Sequence, residues 1–271
     1  MELTIQKAIA FVKRDFLSET SYKFAFMMQF FKMFLSLIVF FFVSKLLGNL
    51  GALQLKPYGG NYFAFVLIGI AFFGYLDISM QGLSSVIRRG QTQGTLEALL
   101  VTQTSIPNII VASIIYPFIK ASFNVVIYLL LGGLIFGVKM GNANIISASI
   151  ILFLSITSFS GLGILSASFI MVFKQGDPIG WVIGTGSSLL GGLYYPISIL
   201  PHWVQKISYL FPVTYSLEGM RLALLKGHGL TQLTSVVLML TTFSVVLLPI
   251  SLFVFNFAVK RAKVDGSLNH Y

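Results

Sequence analysis

Long apolar runs separated by short water-compatible breaks make up this chain, and within the runs apolar residues are continuous rather than alternating. A transmembrane helix needs about 20 consecutive, mostly apolar residues. Runs of that kind cover about 24–47, 62–83, 108–136, 145–173, 179–195 and 232–258. Backbone groups in lipid must bond within a helix or around a closed barrel. Without period-two alternation the barrel is excluded, so the pattern predicts an all-α integral membrane fold with six transmembrane helices in one domain, 1–271. Ahead of the first span, Ile5, Ile9, Val12 and Phe16 fall on one helical face, with Lys7 and Arg14 roughly opposite. That predicts an amphipathic helix over 1–23 lying in the membrane interface; the alternative is an ordinary solvated helix. It does not read as a secretory signal, because basic and acidic residues are interleaved and no small-residue cleavage site follows.

Two breaks do not fit a plain bundle. Residues 88–107, RRGQTQGTLEALLVTQTSIP, are the longest clearly polar run in the interior of the chain. Arg88 and Arg89 open it, Gly90 and Gly94 punctuate it, the helix-forming run TLEALL follows, and Pro107 closes it. The second break, 191–230, holds Pro196, Pro201 and Pro212, Trp203, and Tyr194, Tyr195, Tyr209 and Tyr215. It is too long and apolar for a solvated loop. Each interior proline removes a helix bond, so it does not span either. Trp and Tyr favour the membrane interface. The pattern predicts two short helices, about 201–210 and 213–226, in a re-entrant segment 196–230 that dips into the outer leaflet. The alternative is a hairpin resting on the headgroups.

Composition supports the class. Hydrophobic residues are 56% and charged residues only 10%, against roughly 25% charged in soluble domains. Mean hydropathy is +0.89. The net charge of +10 sits mostly in short loops and tails, where it reads as topology and contact with anionic lipid rather than nucleic acid. Lys7, Lys13, Arg14, Lys23, Arg88, Arg89, Lys174, Lys260, Arg261 and Lys263 fall on one side; Lys45, Lys56, Lys139, Lys206, Arg221 and Lys226 fall on the other. The excess places both termini and the 88–107 break in the cytoplasm.

The chemistry the chain lacks narrows its function. It has no cysteine, which rules out disulfides and thiolate sites. It has no GxxxxGK[ST] and no HExxH, so it carries no ATPase site of that kind and no zinc-protease site. His202, His228 and His270 lie in external or tail segments, and no metal site is expected. An aspartyl intramembrane protease would need two acids in the bilayer, but Asp177 falls in a turn. No catalytic residue is assigned. Ionisable residues inside spans carry functional weight. Asp77 and Lys120 lie at similar depth on successive antiparallel helices, which predicts an ion pair. It would either fix the register of spans two and three or lie in a transport path. Gly161–Ser168 and Gly184–Gly192 predict close helix packing, with a sliding interface as the alternative.

Two segments carry a resemblance. RRGQTQGTLEALLVTQTS resembles the cytoplasmic coupling segment between spans two and three of type-2 ABC exporter permeases. GGLYYPISILPHWVQKISYLFPVTYSLEGMR resembles the external signature of the same family, with Phe211 standing where asparagine is common. The resemblance implies a half-transporter in a prokaryotic inner membrane. It would pair with a second copy or a close paralogue and dock two separate ATPase subunits. ATP and Mg would be bound by those partners, and no cofactor by this chain. Arg88, Arg89, Gly94, Thr95, Leu96, Glu97, Leu99 and Leu100 would form the coupling helix. Its leucines would seat in a groove of the partner, oriented by Glu97 and the arginine pair. Tyr195, Pro196, Pro201, Trp203, Pro212, Tyr215, Glu218 and Arg221 would form an external gate, with Glu218 and Arg221 as a local ion pair. The cargo would be amphipathic or hydrophobic: a drug, lipid or glycan-lipid. The competing readings are an ATP-independent channel or secondary carrier, which would favour inverted repeats, and an enzyme acting on lipids, which would want clustered acids or histidines. Neither pattern is evident.

Overall fold

The computed structural model describes positions 9, 12, 13, 16 and 17, then 20–48, 52–92, 106–173 and 177–264. Its helices, in chain order, are α1 (Lys23–Leu47), α2 (Ala52–Leu55), α3 (Tyr62–Thr92), α4 (Ile106–Leu134), α5 (Ile145–Phe173), α6 (Pro178–Leu190), α7 (His202–Ser208), α8 (Pro212–Lys226) and α9 (Thr234–Val264). Single 3-10 turns lie at Lys56–Tyr58 and Ile197–Ile199. Among the described residues there is no strand. Of the predicted interfacial helix, Ile9, Val12, Lys13, Phe16, Leu17, Thr20 and Ser21 are helical; the rest of 1–19 lies outside the described residues.

α3 is the axis of the bundle. Seven consecutive residues, Phe63 to Gly69, are buried, as expected of a helix with neighbours on every side. α5 lies against α3 and α9, and it approaches both through glycines. A β-carbon on Gly163 would stand 2.4 Å from the Met80 carbonyl oxygen, and one on Gly161 would stand 2.9 Å from Leu247 Cβ. Backbones this close exclude larger side chains, the packing mode that small residues permit in membranes. Polar links add to it. Ser158 Oγ donates to the Leu240 carbonyl at 3.1 Å, and Thr157 meets Ser244 at 2.9 Å. α1, by contrast, buries only Met33 and Leu37 among its described side chains and exposes Phe24, Met27, Leu35, Val39 and Phe42. It lies at the margin of the bundle, with a largely exposed apolar surface.

Five of the described helices are long and apolar enough to cross a membrane: α1, α3, α4, α5 and α9. The predicted fifth span, 179–195, does not form as one helix. α6 has 13 residues and stops at Leu190, about 20 Å at 1.5 Å per residue, short of a roughly 30 Å hydrocarbon core. The composition of 179–195 is apolar throughout, but Gly192 takes φ +76°, a left-handed conformation that ends a helix and favours glycine. The next two carbonyl groups in line turn away to another helix, as described below. The ends of the bundle are ordered. Gln29 of α1 bonds Asn124 of α4, just past the middle of that helix, and Phe255 and Ala258 of α9 pack with Leu83 of α3. The end of α9 therefore lies beside the later turns of α3.

Candidate functional site

Within the second non-bundle segment the chain forms two short helices, α7 and α8. Pro212 occupies the first turn of α8, where its missing N–H costs nothing and its fixed φ suits the helix. The Thr214 hydroxyl donates to the Ser208 carbonyl at 2.6 Å, closing the corner between the two helices. Phe211 gives α8 no side-chain cap. Its ring instead lies against α6, where a β-carbon on Gly186 would stand 3.0 Å from Phe211 Cζ.

Contacts along α8 fix its depth. Val213 and Leu217 share a core cluster with Leu76, Met80 and Phe159, residues about halfway along α3 and α5. One turn on, the Ser216 hydroxyl donates to Ser155 of α5 at 2.6 Å. A β-carbon on Gly219 would meet Val236 at 2.8 Å and Ile151 at 2.9 Å. At the far end, the Asn144 amide donates to the Ala223 carbonyl at 2.9 Å. α8 thus runs from mid-bundle to the α4–α5 connection, wedged among α3, α5 and α9.

Arg221 fastens it there. Its guanidinium is buried, with 2% of the residue exposed, and lies 3.4 Å over the centroid of the Phe65 ring. Nε donates to the Phe65 carbonyl at 3.0 Å, Nη1 to Gly192 at 2.8 Å and Nη2 to Leu193 at 2.9 Å. A planar fork of donors suits three converging carbonyls in a way an ammonium does not, and charge-assisted bonds are stronger than neutral ones. Gly69 makes the room: a β-carbon there would stand 2.7 Å from both Nη2 and the Leu193 oxygen. One side chain therefore joins α8, the first turn of α3 and the turn that ends α6. Burial pulls its pKa down to about 9, opposed by Tyr58 and Glu218, and the group stays cationic at neutral pH.

The expected Glu218–Arg221 ion pair is not formed among the described residues, because the three carbonyls occupy the guanidinium. Glu218 instead lines a cavity of about 140 Å³ with Tyr58, Tyr209, Thr214 and Arg221. Burial raises the Glu218 carboxyl, and the charge of Arg221 partly offsets that. Tyr58 is pushed up to about 12 by burial, with Glu218 adding to it. Of the other predicted gate residues, the Tyr195 hydroxyl donates to the Leu189 carbonyl, and Tyr215 donates to Tyr209 at 3.2 Å. Pro196 is buried, Pro201 precedes the first turn of α7, and Trp203 is exposed. They all belong to the turn and hairpin around Arg221.

The predicted coupling residues are only partly within view. Arg88 lies in α3 and is exposed; Arg89 is helical there too. The side chain of Arg89, and Gly94, Thr95, Leu96, Glu97, Leu99 and Leu100, lie outside the described residues. The Asp77–Lys120 ion pair is not among the described contacts. Asp77 accepts from Gln81, one turn along its own helix, whereas Lys120 lines a cleft against α1. Equal depth on neighbouring helices does not bring two side chains to the same face. Reasoning from the sequence missed the Phe65, Gly192 and Leu193 carbonyls and Tyr58. Carbonyl acceptors leave no trace in residue identity; the only signal was an arginine within an otherwise apolar, proline-broken hairpin.

The model of the ABC-2 type transporter family covers residues 6–225, from the N-terminal segment through 88–107 to the last turn of α8. The chain is 22% identical over 172 residues to linearmycin resistance permease protein LnrN of Bacillus subtilis (strain 168), covering 64% of this chain and 44% of LnrN. It therefore spans less than half the length of that relative. It is 26% identical over 195 residues to nodulation protein J of Sinorhizobium fredii (strain NBRC 101917 / NGR234), covering 67% of this chain and 69% of that protein. With the family match running through most of its length, the chain belongs to the ABC-2 type transporter family and is a multi-pass membrane permease component.

Proposed function

We propose that this chain is the permease of an ATP-driven exporter in a prokaryotic inner membrane. Two copies, or one copy and a close paralogue, pair in the bilayer, and two separate ATPase subunits bind the cytoplasmic 88–107 segment. ATP and Mg stay on those subunits. The observation that carries the reading is the family match across residues 6–225, which takes in both the coupling segment and the hairpin. The geometry of α3 supports it. This helix has 31 residues, about 46 Å, and overruns a hydrocarbon core of roughly 30 Å. Its last turns, with Arg88, lead out of the membrane towards the coupling segment, and its first turns hold Arg221. A push at one end reaches the hairpin through a single stiff element, the kind of input that packed helices turn into a discrete shift. The hairpin serves as the external gate.

The cargo is amphipathic or hydrophobic. The spans present apolar side chains, and the name of LnrN, a resistance permease for linearmycin, favours efflux of a drug-like molecule. The test is reconstitution with the cognate ATPase. Glu97→Lys and Leu99→Asp should insert and fold normally, yet cut ATP-dependent transport at least about tenfold, the loss of roughly 1.4 kcal/mol of coupling. The ATPase should lose its stimulation by the permease in parallel. Wild-type coupling in both variants would place the contact elsewhere, and transport without ATP would favour a secondary carrier.

A further inference from the structure

The cavity beside Arg221 holds a carboxylate that neither the fastening of α8 nor the transport reading uses. Glu218 lines it, with Gln54 of α2, Tyr58 of the first 3-10 turn and Tyr209 at the end of α7. Among the described residues no hydrogen-bond donor reaches that carboxylate, and its neighbour of opposite charge is Arg221. The Arg221 nitrogens are already given to the Phe65, Gly192 and Leu193 carbonyls. Burial raises the Glu218 carboxyl more than Arg221 lowers it, so its charge is only partly compensated. A half-buried carboxylate ordinarily meets hydrogen-bond donors or a cation. A single carboxylate is too few for a metal ion, which takes several ligands, and no group of three metal-ligating side chains lies among the described residues.

A second cavity, of about 340 Å³, adjoins the first, and Gln54 and Pro196 belong to both linings. Its walls are mostly apolar or aromatic: Leu47 at the end of α1, Leu55, Tyr62 at the start of α3, Tyr194 and Ile199. The Tyr194 ring is held by stacking on Phe40 with centroids 5.5 Å apart. The cavity at Glu218, about 140 Å³, has room for several waters or for one ammonium head with its first methylenes. Water would satisfy the carboxylate but would gain nothing from the apolar chamber beside it. A small charged chamber next to a larger apolar one matches a ligand with a charged head and an apolar body.

We propose that the two cavities form one binding site for a primary alkylammonium. The ammonium donates to Glu218 beside the Tyr58 and Tyr209 phenols, and the alkyl chain lies against Leu55, Tyr62 and Tyr194. An ammonium brings three donors, which supplies what the carboxylate lacks, and charge-assisted bonds of this kind are the strong ones. The like charge of Arg221 weakens the attraction without cancelling it, because three carbonyl dipoles already face the guanidinium. A phospholipid amine fits less well. Its phosphate follows the amine closely, and the described linings offer it no cation besides the occupied Arg221. This inference does not rest on the proposed transport cycle, and binding to the chain alone tests it.

The experiment is isothermal titration calorimetry of the purified full chain in detergent at neutral pH, with protein-free micelles as the blank. Hexylammonium should bind at least about tenfold more tightly than hexanol, and hexanoate more weakly than either. Propylammonium should bind at least about tenfold more weakly than hexylammonium, since each buried methylene contributes about threefold to fourfold. Glu218→Gln should bring hexylammonium to within about twofold of hexanol and leave hexanol binding as it was. Ethylammonium in excess should displace hexylammonium, whereas phosphoethanolamine, the soluble phospholipid headgroup, should not. The comparisons among probes on the wild type decide the matter even if the glutamine variant fails to fold. Equal binding of hexylammonium and hexanol, a flat chain-length series, an undiminished preference in folded Glu218→Gln, or displacement by phosphoethanolamine as readily as by ethylammonium would each overturn the proposal.

Discussion

Arg221 makes three direct bonds to backbone carbonyls and stacks on Phe65, and each of those acceptors would be left in a dry setting without it. Hydrogen bonds to charged groups contribute about 1.5–3 kcal/mol each, and stranded carbonyls cost about 1–3 kcal/mol. Some of this overlaps, so Arg221→Gln should lower the unfolding free energy of the detergent-solubilised protein by roughly 3 kcal/mol or more. Arg221→Lys should recover only part, because one ammonium nitrogen does not reproduce the three separated nitrogens of the planar fork. Glu218→Gln is the contrasting variant. Glu218 borders a cavity and makes no direct bond to Arg221 among the described residues, so its loss should change stability by less than about 1 kcal/mol. Thermal melts of the three variants decide this; equal melting of the wild type and Arg221→Gln would remove Arg221 as the fastening of the hairpin.

Among the helices, close approach depends on glycine at particular positions. Gly163 faces the carbonyl oxygens of Met80 and Ser79, with a β-carbon 2.4 and 2.7 Å away. Backbone cannot swing aside as a side chain can, so Gly163→Ala should push α5 off α3 and cost about 1–3 kcal/mol. Gly74 on α3 has nothing within 4 Å of a β-carbon. Gly74→Ala should be neutral or stabilise by up to about 1 kcal/mol through helix propensity. Paired melts check the two, and equal effects would mean that crowding at Gly163 does not govern the packing. These elements show what the sequence made legible. Apolar run length located α1, α3, α4, α5 and α9 closely, and the proline positions located α7 and α8, because those signals are local. The end of α6 at Leu190 was not legible, since a run of apolar residues does not reveal that Gly192 reverses its φ or that two carbonyls turn to Arg221. The facing of Asp77 and Lys120 was not legible either. Depth follows from counting residues, but facing depends on how each helix is rotated by its neighbours.

For the whole molecule, the fastening of α8 constrains how an external gate can work. α8 is held to α3 through Arg221, to α5 through Ser216 and Ser155, and to the α4–α5 connection through Ala223 and Asn144. Pulling the hairpin out of this block on every turnover would strip a buried cation of its partners, a cost of several kcal/mol. A rigid-body movement of the block as a whole leaves those bonds intact and, under the proposed pairing, would concentrate the change between chains. The two mechanisms differ in whether α8 moves relative to α5, and the chain offers a clean way to ask. It has no cysteine, and the Ser155 and Ser216 hydroxyl oxygens are 2.6 Å apart, so cysteines at the two positions would face each other across the α5–α8 contact. In a Ser155→Cys/Ser216→Cys variant reconstituted with its ATPase, the oxidised and reduced forms should transport at rates within about twofold of each other, a difference of less than roughly 0.5 kcal/mol in barrier. Because no other thiol is present, any difference between them belongs to that single link. If oxidation stopped transport and reduction restored it, α8 would have to slide against α5 in each cycle, and the gate would lie within one chain rather than between two.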